Sequence, residues 1–252
     1  MKKTMILVFT SILLFSGSAV SAKTIHSFSD QTTIYDYIVS ESYSKNGAKV
    51  AVIGSSVARG KGASHPMFSW FRLLEKEVRE RHLPHKKKLS FHNFAKSGYT
   101  LNMLLKDGTV EKLVKSEPDL VMIETGVVNS YQYHQSIKET EQAIEKTVDK
   151  IKKASPDTKI LFLSPNPTTV LYNGKIDNKR NHSYQDYLKA TEQYIKENEW
   201  PYIDIYRPMA KRMADGSFEL KDTLADGVHP NNIGYYIWFQ VMNEYFNKPI
   251  PW

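Results

Sequence analysis

Five short runs, mostly apolar, each separated from the next by a stretch with helical spacing, constrain this chain more than any other feature. Val50-Ala51-Val52-Ile53 stops at Gly54, and Leu89 to Phe94 alternates. Asp119 to Glu124 carries Leu-Val-Met-Ile, Ile160 to Leu163 stops at Ser164-Pro165, and Tyr202 to Tyr206 closes the series. Runs of this length bounded by turn residues read as strands. Strands apolar on successive residues must be covered on both faces, which is the condition of a parallel sheet between helical layers. The intervening segments supply the cover. Phe68, Phe71, Leu74 and Val78 recur at helical spacing, and Leu101 to Val114 is helical in pattern up to Pro118. Ile137, Ile144, Val148 and Ile151 mark a long charged helix, Tyr184, Leu188, Thr191 and Ile195 another, and Ile233 to Phe246 a closing one. The pattern predicts a three-layer α/β/α sandwich around a five-stranded, mostly parallel sheet with right-handed crossovers.

The first residues read as an address rather than as part of the fold. Lys2 and Lys3 precede an apolar run from Met5 to Phe15, and Val20-Ser21-Ala22 suits cleavage after Ala22. That run is shorter than the ~20 residues of a membrane span, so residues 1–22 are expected to be a secretory signal peptide. Residues 23–47 are polar with scattered tyrosines and are expected to form an N-terminal leader segment; 48–252 form the domain. The expected location is extracellular, with no stable membrane insertion after cleavage. The chain contains no cysteine, which excludes disulfide scaffolds, thiolate metal sites and cysteine nucleophiles. Its net charge of +7 falls to +5 without Lys2 and Lys3, a mild excess that concerns attraction to anionic polymers and not the fold.

In parallel sheets, reactive groups gather beyond the C-terminal strand ends. After the first strand stands Gly54-Ser55-Ser56-Val57-Ala58-Arg59-Gly60. A serine at a strand mouth is placed for nucleophilic attack, although serine is also a favoured helix cap. A phosphate-loop reading fails, because Gly54 and Gly60 enclose five residues rather than four and Lys61 is followed by Gly62. After the second strand, Gly98 offers a backbone N–H to a developing oxyanion, or simply makes a turn. After the third, the Asn129 amide is an uncharged donor. Near the C-terminus, Asp226-Gly227-Val228-His229 puts a carboxylate three residues before a histidine. Histidine accepts and returns a proton near neutrality, and such a neighbour can fix its tautomer.

Taken in order, these residues resemble the SGNH (GDSL-type) hydrolase family, over residues 49–246. Ser56 matches the family's nucleophile, Gly98 the glycine of its second block, Asn129 the asparagine of its third, and Asp226 with His229 its Asp-x-x-His block. Two departures stand out. Ser55 replaces the aspartate that supports the family's first block, and one extra residue separates Gly126 from Asn129, with Ser130 in place of the second acid. The resemblance implies a flavodoxin-like SGNH fold and acyl transfer from an ester through Ser56, with His229 as base and Asp226 as its orienting acid. Ser56 N–H, Gly98 N–H and the Asn129 side chain would form the oxyanion hole. No metal and no cofactor are implied, and no nucleic-acid partner is expected.

The remaining candidates are weaker. Tyr99, Tyr131 and Tyr133 lie near the site by sequence and could line a pocket, though packing is the default for any one of 15 tyrosines. The long connection from Pro165 to His182 has the length of a binding loop, and its Arg180 could meet an anionic group. His82 and His85 are split by Pro84 and followed by Lys86-Lys87-Lys88, a solvated basic loop rather than a metal site. The leading expectation is an exported serine ester hydrolase that deacetylates carbohydrate, its partner a small-molecule or polysaccharide acyl ester. The alternatives are a lysophospholipase or thioesterase for longer chains, acyl transfer to a sugar, and, from another class, a non-catalytic carbohydrate-binding module on a decayed hydrolase fold.

Overall fold

The computed structural model describes residues 32–81, 88–169 and 179–252. The signal segment, His82 to His85, and Tyr172-Asn173-Gly174 lie outside the described residues. The five strands are β1 (Ala48–Ile53), β2 (Leu89–Asn93), β3 (Leu120–Glu124), β4 (Lys159–Leu163) and β5 (Tyr202–Ile203). They form one sheet in the order β2-β1-β3-β4-β5, and every pairing is parallel. Strand alternation sorts the apolar runs into two cores. Val50, Val52, Leu120, Met122, Leu161 and Leu163 face one layer, and Ala51, Ile53, Val121, Ile123, Ile160 and Phe162 face the other.

The first layer holds α1 (Ile34–Ser44), α3 (Trp70–Arg81), α9 (Tyr206–Asp215) and α10 (Asn232–Phe246). Its centre is Trp70 stacked on Trp238, with ring centroids 5.6 Å apart. The second layer holds α4 (Leu101–Lys106), α5 (Thr109–Lys115), α7 (Ile137–Ala154) and α8 (Tyr184–Glu197). Two short helices, α2 (Ser56–Arg59) and α6 (Val127–Gln132), leave the ends of β1 and β3. Among the described residues no helix is long and apolar enough to cross a membrane.

The structure refines the sequence pattern in three places. Residues 34–44 of the expected leader are a helix with a full Thr33–Asp36 capping box, and Ile34, Tyr35, Tyr37 and Ile38 belong to the first core. The expected helix 101–114 is two helices, because Asp107 turns its carboxylate onto Thr109 N–H and Gly108 takes a left-handed φ of 78°. The fifth strand ends at Ile203 rather than Tyr206. Ser164 Oγ, at the end of β4, accepts the N–H groups of Ile205 and Tyr206 and turns the chain into α9.

Candidate active site

Every group singled out at a strand exit lies at the C-terminal edge of the sheet. β1 leads through Gly54 to Ser55, whose extended backbone (φ −99°, ψ −153°) caps α2, so Ser56 is the first helical residue. Gly54 is dictated by close approach, since a Cβ there would lie 2.7 Å from Glu124 Cβ and 2.8 Å from its Oε2. Glu124, the one charged residue of the fully buried β3, accepts Ser55 N–H through Oε2 at 2.7 Å and Gly126 N–H through Oε1 at 3.0 Å.

The loop carrying Asp226 and His229 is fastened from several sides. Ala225 N–H bonds His229 O at 2.8 Å, closing the loop on itself. From the exit of β4, Thr169 N–H bonds Gly227 O at 2.9 Å and Asn166 Nδ2 bonds Val228 O at 2.9 Å. Tyr235 on α10 donates its hydroxyl to Lys61 O at 2.7 Å and Val57 O at 3.2 Å, which pins α2 to the helix that follows His229. Gly62 presses on the same loop: a Cβ there would stand 2.4 Å from Pro230 O.

These ties bring the three side chains into one hydrogen-bonded chain. Ser56 Oγ is 2.8 Å from His229 Nε2, and His229 Nδ1 is 2.7 Å from Asp226 Oδ2. Ser56 and His229 are buried. Burial works against ionisation of Asp226, but the N–H and ring of His229 and the N–H of Val228 outweigh it and hold the carboxyl below its ordinary range. An ionised carboxylate only accepts, so Nδ1 carries the proton and Nε2 is left to accept the Ser56 hydroxyl. That is the ground state a serine nucleophile requires.

The expected oxyanion donors lie on the two neighbouring exits. Gly98 sits in the turn after β2 with φ 78°, and Lys96 N–H bonds Gly54 O at 3.0 Å, so this turn is tied to the nucleophile turn. Asn129 is buried in the first turn of α6, and its Nδ2 donates to Tyr99 O at 2.8 Å. One amide hydrogen of Asn129 therefore braces the Gly98 turn. Tyr99 is half-buried, with the Lys96 ammonium 5.2 Å from its ring centroid. Tyr131 packs edge-on against Tyr187 and tilted against Tyr184, each at 5.7 Å. Arg180 donates Nε–H to His134 O at 2.7 Å and stands 3.9 Å from Glu139, so its guanidinium joins the turn after α6 to the first turn of α7. Glu124, Asn166 and Thr169 were not among the residues singled out from the sequence. The signal for Glu124 was there: a lone acid closing a strand of otherwise unbroken apolar residues.

A parallel sheet that gathers a Ser–His–Asp chain at its C-terminal edge is the arrangement of three-layer α/β serine hydrolases. The profile of the GDSL-like Lipase/Acylhydrolase family matches residues 52–237, and the chain belongs to that family. A comparison with curated protein sequences finds no match. Among solved structures, a two-domain esterase active on acetylated mannans aligns with TM-score 0.62 and 17% identity over 83% of this chain and 52% of its own, so this chain spans about half its length. An acetylxylan esterase from Geobacillus stearothermophilus aligns with TM-score 0.59 and 17% identity over 79% of this chain and 95% of its own. A lipolytic protein of the G-D-S-L family from Veillonella parvula aligns with TM-score 0.57 and 14% identity, over 79% and 97%. At these identities the likeness is one of fold.

Proposed function

We propose that the chain is an exported serine esterase that removes acetyl groups from carbohydrate. The observation that carries the catalytic part is the 2.8 Å contact between Ser56 Oγ and His229 Nε2, with Asp226 on the far side of the ring. Ser56 Oγ attacks the ester carbonyl as His229 takes its proton. Asp226 holds the imidazole and stabilises its cation. Ser56 N–H, Gly98 N–H and Asn129 meet the oxyanion, and loss of one donor of this kind raises the barrier by about 2.7–4 kcal/mol. His229 then protonates the departing sugar oxygen, and water repeats the sequence on the acetyl-enzyme. Acetylated carbohydrate as substrate is supported by the likeness to the acetylmannan and acetylxylan esterases. Export is supported by the Lys2-Lys3 start, the Met5 to Phe15 run and the small residues up to Ala22.

The test is acetate release from acetylated mannan and xylan, beside p-nitrophenyl esters of rising chain length. Activity on the polysaccharides, with acetate preferred to octanoate, agrees with the proposal; a preference for octanoate overturns it. A second reading, hydrolysis of longer acyl chains, is favoured by exposed apolar side chains just past Ser56 (Met67, Phe68) and just past His229 (Ile233, Tyr236).

A further inference from the structure

Glu124 takes no part in the proton transfers described above, yet it is buried directly behind the nucleophile turn. Its two oxygens are each engaged by a different strand exit: Oε2 by Ser55 N–H at 2.7 Å and Oε1 by Gly126 N–H at 3.0 Å. Both ties continue outward. Gly126 is the N-cap of α6, which carries Asn129, and Asn129 Nδ2 bonds Tyr99 O beside Gly98. The Gly98 turn returns to the first exit through Lys96 N–H and Gly54 O at 3.0 Å. The result is a closed ring of hydrogen bonds running through the exits of β1, β3 and β2. Each of the expected oxyanion donors, at Ser56, Asn129 and Gly98, hangs from that ring. Gly54 leaves the space the Glu124 side chain fills, and Ser55 contributes a backbone N–H rather than a side-chain cap.

We infer that Glu124 is a positioning residue for the oxyanion hole: as a double acceptor it fixes the spacing between the Ser56 and Asn129 donors. This rests on the serine-esterase reading above. A carboxylate is suited to the task because each oxygen faces an N–H. The isosteric amide has one oxygen, and its NH₂ would face the other N–H, donor against donor.

The experiment compares wild type with Glu124→Gln, Glu124→Asp and Ser56→Ala on p-nitrophenyl acetate, with thermal melts of each. In Glu124→Gln kcat is expected to fall about 100-fold to 1000-fold, the range of a lost oxyanion donor, with KM changed less than about threefold. Glu124→Asp keeps both acceptors and is expected to recover at least about tenfold of that loss. In a double-mutant cycle, Glu124→Gln and Asn129→Ala are expected to be less than additive, because both act on one oxyanion hole. A folded Glu124→Gln enzyme with kcat within about twofold of wild type overturns the inference. So does full additivity with Asn129→Ala. If neither Glu124 variant folds, Glu124 is a determinant of the fold and the inference is equally overturned. Ser56→Ala separates the two claims: activity in that variant defeats the serine-esterase reading itself, whereas an inactive Ser56→Ala beside a fully active Glu124→Gln defeats only the role of Glu124.

Discussion

Replacing Asp226 by asparagine tests the catalytic chain where its geometry is most specific. Asp226 Oδ1 accepts the backbone N–H groups of His229 at 2.9 Å and Val228 at 3.2 Å and lies 2.9 Å from His229 Nδ1, while Oδ2 is the oxygen nearer that ring nitrogen, at 2.7 Å. An asparagine has one oxygen to share between these demands. Left on the backbone side, it keeps two hydrogen bonds; turned to the ring, it sets its NH₂ against two N–H donors. At roughly 1–1.5 kcal/mol for each bond, the first orientation is favoured by about 2–3 kcal/mol. It presents an N–H to Nδ1, which must then accept, so the ring proton moves to Nε2 and points at Ser56. The productive tautomer is left in only about 0.6–3% of molecules, a loss of about 30-fold to 160-fold. Losing the carboxylate's attraction for the imidazolium adds about another factor of ten, because the Asp226 side chain is 47% exposed and water screens it. The expected fall in kcat is therefore about 10³, one decade less than the ~10⁴ of the buried serine-protease acid. Both backbone bonds survive, so the melting temperature should stay near that of wild type. The assays are p-nitrophenyl acetate turnover and the rate of fluorophosphonate labelling at Ser56, which should fall together. A folded Asp226→Asn enzyme within about tenfold of wild type would refute the tautomer argument.

Three further outcomes are expected. Ser56→Ala should abolish turnover and probe labelling with the fold intact, while Ser55→Ala should keep activity within about threefold, since Glu124 holds its backbone and not its hydroxyl; an inactive, folded Ser55→Ala enzyme would count against this. Gly62→Ala combines a φ of 99° with a Cβ 2.4 Å from Pro230 O, so it should push the His229 loop from Ser56 and lower kcat by at least about tenfold, and unchanged kinetics would show that the two loops are not rigidly opposed. The capping acids Glu139 and Asp186 are held below the usual carboxylate range by the hydroxyl and N–H of Ser136 and Ser183. Their stabilisation is complete above the unfolded carboxylate range near ~4 and is lost as pH falls through their lower folded values, so melts below about pH 4 should drop less steeply in a Glu139→Gln/Asp186→Asn double variant; equal slopes would contradict the assignment.

How much of this was legible in the sequence depended on the distance over which each fact is decided. The strands were legible because burial on both faces leaves its mark on adjacent residues, as in Leu120 to Ile123, all buried. The Asp226–His229 pair was legible because three residues across a glycine bring carboxylate and ring together within one loop. The end of β5 was not, because Ile203 is followed by residues that still look strand-like. What stops the strand is Ser164 Oγ, 41 residues back in the chain from Ile205. The break at Gly108 was written locally but hidden by the apolar residues on either side, which keep helical spacing through it.

The meeting of Ser56 with His229, 173 residues apart, could be inferred from the order of the motifs but not from any local property of either. The structure supplies the means. A strand exit alone leaves a serine free to face either side of its turn, and a loop before a helix leaves a histidine equally free. Both are fixed here by contacts that are themselves non-local. Tyr235, two residues after Ile233 at the start of α10, reaches across to the carbonyls of Val57 and Lys61 and so sets the nucleophile helix against the histidine helix. Gly62 allows the two loops to touch where any side chain would part them. Asn166, leaving β4, holds the carbonyl next to His229 from the opposite side. None of these residues carries chemistry, and each is an ordinary tyrosine, glycine or asparagine when read in the chain. The catalytic distance is thus set by groups whose importance exists only in three dimensions.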